Sequence, residues 1–333
     1  MTVRRFAVAA ALLASGALSA GFLRTTSETT GVALSWQVPV VGYHVNPTID
    51  PLRPNSAPSC DPTGTADPAI AAIRASFAEW EEPCADLRFV YGGTFDEIRT
   101  GIGGIDENVV VFRRGWCSEN AAAVADPCFQ DPSASCGGIY DCFEDTGRYA
   151  GHSIVALTSV LYDPRTGRIF GADIELNGWD GTEPGSTLST ATHGWYFSCL
   201  DPAVVPTTTI CTNYGDDGCH YIDLRNTVTH EVGHFLGLAH PCGEPGLPPC
   251  SVSVPAPGTP YSQRTMNPQT APGEVSKRSL SADDVAGVCT IYANPSGGCG
   301  CGGGEGAAAS SLLVAALALR RRRARRYATT SPA

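Results

Sequence analysis

A chain of 333 residues can hold one large domain or two ordinary ones, and an apolar share of 43% is enough to bury a sizeable core. Charged residues make up only 17%, while 37 glycines and 25 prolines point to long irregular loops. The formal charge of -11 is uneven. With Arg4, Arg5, Glu305 and the six C-terminal arginines set aside, residues 21–304 carry about -18, a surface that excludes nucleic acid as a partner and whose acidic loops could bind Ca2+.

Arg4 and Arg5 precede an apolar run from Phe6 to Leu18, followed by the small residues Ser19, Ala20 and Gly21. A charged lead, a hydrophobic stretch and a cleavage zone make residues 1–20 a signal peptide. The run of about thirteen residues is short of the ~20 that span a bilayer, so export is expected rather than anchoring. Cysteine usage agrees. Twelve of the fourteen cysteines lie between Cys60 and Cys289 without CxxC pairs, which suits disulfides in an oxidising compartment better than structural zinc. Cys242 and Cys250 are one candidate pair, because the seven residues between them include Gly243, Pro245, Gly246, Pro248 and Pro249 and can close tightly; other pairings stay open.

Residues 35–45 read as a first strand, followed by a Pro-rich loop to Thr65. Asp67-Pro68 is a helix start, with Asp as N-cap and Pro at the first helical position, and Ile70, Ile73, Phe77 and Trp80 repeat at helical spacing up to Pro83. Short β-rich runs follow at 86–91 and 108–113, then a disulfide-tied loop over 115–150. Residues 153–162 and 169–177 flank Asp163-Pro164-Arg165-Thr166-Gly167, a strand pair joined by a turn. After an irregular stretch over 178–220 a helix is expected from about 223 to 236, with Asp223 as N-cap. A last helix, about 282–292, is capped by Ser281 with Asp284 three residues on. No linker divides this body, and residues 33–293 are expected to form one domain.

The chemistry concentrates in His230-Glu231-Val232-Gly233-His234-Phe235-Leu236-Gly237-Leu238-Ala239-His240. Residues i and i+4 share a helix face, so His230 and His234 can converge on one metal ion. Gly237 tolerates the left-handed conformation that ends a helix, which lets the chain turn and bring His240 back as third ligand. Three imidazoles leave the fourth position of a Zn2+ ion open for water, and Glu231, in the same helical turn as His230, can take that water's proton. A purely structural zinc is usually closed by four protein ligands and has no use for the glutamate. The other histidines, His44, His152, His193 and His220, are dispersed and read as loop or surface residues.

This segment resembles the signature of the metzincin superfamily of metallopeptidases, HExxHxxGxxH followed by a methionine-containing turn, for which Met266 in Arg264-Thr265-Met266-Asn267-Pro268 is the candidate. Within that superfamily the chain is most similar to the matrixin type, on the Ala172–Asn177 strand sequence and on Leu280-Ser281-Ala282-Asp283-Asp284-Val285. Pro241 follows the third histidine where matrixins usually carry serine, and Pro268 replaces the extra tyrosine ligand of astacins and serralysins. The resemblance implies an α+β metzincin (zincin-like) fold: a twisted mixed sheet with two long helices, a cleft under the sheet's lower edge and a small C-terminal subdomain holding Met266 and the last helix. It also implies a zinc-dependent endopeptidase acting on extracellular proteins or peptides, with Met266 as an apolar floor beneath the metal. The alternative is a non-catalytic surface adhesion or binding module that retains the fold, which could lose Glu231 freely.

Residues 294–333 are set apart by composition. Pro-Ser-Gly-Gly-Cys299-Gly-Cys301-Gly-Gly-Gly leads into an apolar run from Ala307 to Leu319 and then an arginine cluster. Thirteen helical residues reach about 20 Å, less than the ~30 Å hydrocarbon core. The tail resembles the tripartite C-terminal sorting signal of myxobacterial surface proteins, which implies membrane sorting machinery as a partner, processing or lipidation at Cys299 or Cys301, and residence at the cell surface; a plain tail anchor is the alternative.

Overall fold

The computed structural model describes residues 21–46, 67–94, 107–113, 143, 155–177, 194–196, 221–242, 264–270 and 274–294. The chain divides into two units, Met1–Gly298 and Cys299–Ala333, and every described residue lies in the first. The signal segment, the tail with Cys299 and Cys301, Cys250, the stretch 115–150 apart from Phe143, and His152, His193 and His220 fall outside the described residues. Among those described, no helix is long and apolar enough to cross a membrane.

The elements run β1 (Leu23–Arg24), β2 (Val40–Val45), α1 (Pro68–Ala78), β3 (Arg88–Thr94), β4 (Val109–Arg113), β5 (Ala156–Tyr162), β6 (Ile169–Asn177), β7 (Gly194–Tyr196), β8 (Tyr221–Asp223), α2 (Leu224–Phe235), β9 (Leu238–Ala239) and α3 (Ala282–Ile291). The central sheet has the order β3-β2-β4-β6-β5. Its first four strands are parallel and β5 alone is antiparallel, paired to β6 through the turn at Asp163–Gly167. The coarse architecture is therefore α+β with a mixed five-stranded sheet. A parallel pair needs a crossover, and α1 supplies the one between β2 and β3.

Helices α1 and α2 start where their capping residues place them. Asp67 accepts a hydrogen bond from the Ala69 N–H at 2.9 Å with Pro68 behind it, and Asp223 accepts one from the Asn226 N–H at 2.7 Å. The two helices pack on each other, α1 also against β3 and α2 against β5 and β6. Tyr43 stacks on Phe77 with ring centroids 3.8 Å apart, and Phe77 meets Phe235 edge-on at 5.5 Å. The indole of Trp80 donates to the Thr229 carbonyl of α2 at 2.9 Å, and that of Trp36 donates to the Phe235 carbonyl at 2.9 Å. Tryptophans thus hold the middle and the C-terminal end of the motif helix. The C-terminal piece is stitched to the segment between α1 and β3 by the Cys84–Cys289 disulfide and by hydrogen bonds from Asp86 N–H to the Tyr292 carbonyl and from Asn294 N–H to the Cys84 carbonyl.

Three expectations need correction. The first strand is confined to Val40–Val45, since residues 35 and 36 turn away to contact Arg168 and Phe235. His44 is a half-buried strand residue, not a loop one, and its Nδ1 faces the Glu107 carbonyl at 3.1 Å. Ser281 does stand at the start of α3, but its hydroxyl caps no backbone N–H. It lies instead within hydrogen-bond reach of the Asp283 and Asp284 carboxylates, and Asp284 accepts the Thr265 N–H at 2.9 Å. The acid that would close a capping box holds the neighbouring loop.

Asp173 on β6 carries a chemical consequence. Its carboxylate accepts the Val109 N–H at 2.8 Å, but burial raises its pKa from 3.8 to about 6, with Glu175 adding to the rise. The folded state therefore holds this proton more tightly than the unfolded chain, a contribution to stability present below pH 3.8 and lost as pH rises through about 6. Between pH 4 and 7 the wild type should lose on the order of 3 kcal/mol relative to Asp173→Asn. Denaturant unfolding at several pH values checks this; parallel stability curves would refute it.

Candidate metal centre

Helix α2 presents His230 and His234 one turn apart, and the chain then has to reverse within three residues. Gly237 makes that possible. Its φ is +88°, and a Cβ there would lie 2.5 Å from the Leu34 carbonyl oxygen, so both conformation and space demand glycine. Beyond it β9 pairs antiparallel with β1, the Thr25 N–H donates to the Gly237 carbonyl at 2.8 Å, and His240 is brought back to the helix.

The three Nε2 atoms converge: His240 Nε2 stands 3.1 Å from that of His230 and 2.9 Å from that of His234. Nitrogens about 2.05 Å from a tetrahedral ion would stand roughly 3.3 Å from one another. The opposite ring nitrogens settle the tautomers. His230 Nδ1 donates to the Thr265 carbonyl at 2.6 Å and His234 Nδ1 to the Leu238 carbonyl at 2.9 Å, which turns both Nε2 atoms toward the shared point. Burial holds His230 well below the usual imidazole range, helped by His234 and Lys277, and pushes His240 down to about 3. Three imidazoles aimed at one point could hold a metal ion, and the donor set fits zinc chemistry.

Met266 is buried behind this cluster. A Cβ added at Gly233, between the two helical ligands, would stand 2.1 Å from its sulfur and 3.0 Å from the Trp80 ring. The glycine inside the motif is thus the space into which the methionine fits. Thr265 places its carbonyl on His230 while its own N–H is held by Asp284, so one short turn both floors the site and orients a ligand.

Glu231 is buried beside the ligands without joining them. Burial raises its pKa, an effect opposed by His234, Thr158 and Lys277. The Thr158 hydroxyl lies 2.6 Å from Glu231 Oε2 and 3.2 Å from the Glu231 carbonyl. All of these residues border a cleft of about 640 Å³, walled by β5 on one side and by Gln269, Thr270 and Lys277 on another.

Every residue expected at the metal, His230, Glu231, His234, Gly237, His240 and Met266, is brought together. Cys242 is disulfide-bonded, but its expected pairing with Cys250 lies outside the described residues. Sequence reasoning missed Thr158, Thr265 and Lys277, which approach from distant segments. Gly233 did leave a signal, as a glycine inside a helix. No protein-family model matches the chain, and no curated protein matches it either.

The fit of Met266 to Gly233 can be measured. Gly233→Ala should lower stability by about 1–3 kcal/mol through overpacking, and adding Met266→Ala should recover part of that loss. Chemical denaturation of the single and double variants gives the coupling; simple additivity would show that the two sites do not share the space.

Proposed function

We propose that the chain is an exported zinc-dependent endopeptidase of the metzincin superfamily, most similar to the matrixin type, acting on extracellular proteins. The observation that carries this reading is the convergence of three imidazoles with a buried, non-ligating carboxylate in one open cleft. A zinc ion held by His230, His234 and His240 would supply Lewis acidity toward a peptide carbonyl and lower the pKa of a water.

The chain's own groups account for the remaining chemistry. The Glu231 carboxylate takes one proton from the attacking water as the water oxygen bonds to the carbonyl carbon. It returns that proton to the departing amide nitrogen as the C–N bond breaks, so acid and amine products balance. The Thr158 hydroxyl holds Oε2 and leaves Oε1 to carry the proton. An extended peptide has a place to lie, since β5 pairs only with β6 among the described strands and its open edge borders the cleft. The buried carboxylate also argues against a mere binding module: burial disfavours its charge, and a surface adhesin would gain nothing by keeping it. Export rests on the N-terminal segment, and surface residence with processing at Cys299 or Cys301 rests on the tail composition.

The test is casein digestion by purified protein, with metal analysis. Zinc-loaded protein should cleave internal bonds and stop when a chelator removes the metal. Glu231→Gln should fold and retain metal yet lose activity by about 10²–10⁴-fold; near-normal turnover would remove Glu231 from the base role. His234→Ala should lose the metal, and undiminished zinc content would sink the three-histidine site. Thr158→Val should lower kcat about tenfold or more with little change in KM, through loss of a hydrogen bond to a charged group, and Thr158→Ser should restore it.

A further inference from the structure

One charged group at the cleft is not used by this chemistry. Lys277 is the only lysine among the chain's 22 basic residues. It is 2% exposed and yet borders the cleft. Its backbone N–H donates to Asn226 Oδ1 at 2.8 Å, in the first turn of α2, and the next residue, Arg278, pairs with the N-cap Asp223. Nζ donates to the Gln269 carbonyl and stands 3.8 Å from Glu274 Oε1, an ion pair but beyond hydrogen-bond length. An ammonium has three N–H donors, so capacity remains for an acceptor in the cleft.

A filler at this position would not need charge, and burial works against it: desolvation lowers the Lys277 pKa. Its charge is felt at His230, Glu231 and His240, so it sits within electrostatic reach of the reacting centre. The cleft also carries charges of both signs. Glu28 borders it from the segment tied to the C-terminal end of α2, through the Thr25 contacts with Gly237 and Leu238, whereas Lys277 is tied to the N-terminal end. A compact, strongly hydrated ammonium in a chain that otherwise uses arginine suits a single carboxylate reached from one side.

We propose that Lys277 selects substrates with an aspartate or glutamate side chain next to the scissile bond, pairing its ammonium with that carboxylate. The proposal rests on the peptidase reading and goes beyond it by naming the substrate class. Matched quenched peptides differing only by Glu or Gln, placed on either side of the bond, should be cleaved unequally by the zinc-loaded protein. The Glu peptide should be favoured at one fixed side by about tenfold or more in kcat/KM. Lys277→Met should erase the preference, slowing the Glu peptide about tenfold or more beyond any loss it shares with the Gln peptide.

Equal loss on both peptides would make Lys277 a strut and overturn the proposal. So would equal cleavage by the wild type, which leaves the peptidase reading intact if casein is still digested. No cleavage of casein or any peptide would defeat the peptidase reading, and this proposal with it. A readout without turnover covers a variant that fails to fold. Lysine labelled with 13C at Cε gives one side-chain resonance in this chain, and in Glu231→Gln it should shift on adding the Glu peptide and not the Gln peptide; no shift with either peptide overturns the assignment.

Discussion

The chain around His230, His234 and His240 is arranged to hold the Nε2 atoms of the first two each about 3 Å from that of the third. Backbone carbonyls of Thr265 and Leu238 hold two of the rings from behind. Each carbonyl is held in turn: Thr265 by Asp284 through its N–H, and Leu238 by its pairing with Arg24 in β1 and by the Thr25 hydroxyl at 3.0 Å. Both tethers reach far along the chain, one from the start of α3 and one from near its N-terminus. A site whose ligands span eleven residues therefore depends on contacts spread over more than two hundred.

The same logic explains the buried ion pairs. Asp223 serves as N-cap of α2 and as partner to Arg278 Nε at 3.0 Å, with burial raising its pKa and Arg278 opposing the rise. Such a pair need not stabilise the protein more than apolar residues would, but removing either partner strands a charge at a cost of about 3–5 kcal/mol. What it supplies is placement. It joins the first turn of the motif helix to the 276–278 segment, so the wall carrying Lys277 is set by the helix that carries the ligands. Ligand geometry and cleft shape are coupled by construction.

How much of this was legible beforehand followed the range of the interactions. The Asp67 and Asp223 caps, the β5–β6 pair and the turn at Gly237 depend on residues a few positions apart, and the sequence pattern carries them. The identity of the ligands and of Met266 came from motif spacing, and Gly233 offered the further hint that something lies close to the helix. Nothing local marks Thr158, which reads as one polar residue in a strand, because its role exists only once β5 is laid beside α2. Ser281 misled in the opposite direction. The local pattern of a capping box was present, but Asp284 had a tertiary partner in Thr265 that outweighed the local one.

Lys277 shows why composition can carry information that periodicity does not. A basic residue in an acidic protein ordinarily reads as a solvated charge, and nothing within a few residues of it suggests otherwise. Its being the sole lysine was visible from the start, yet the meaning of that choice depends on burial and on the cleft beside it. The bond from Nζ to the Gln269 carbonyl ties Lys277 to the stretch that follows Met266. The floor beneath the metal and the charged wall of the cleft are therefore parts of one connected structure, and a shift in either should be felt by the other.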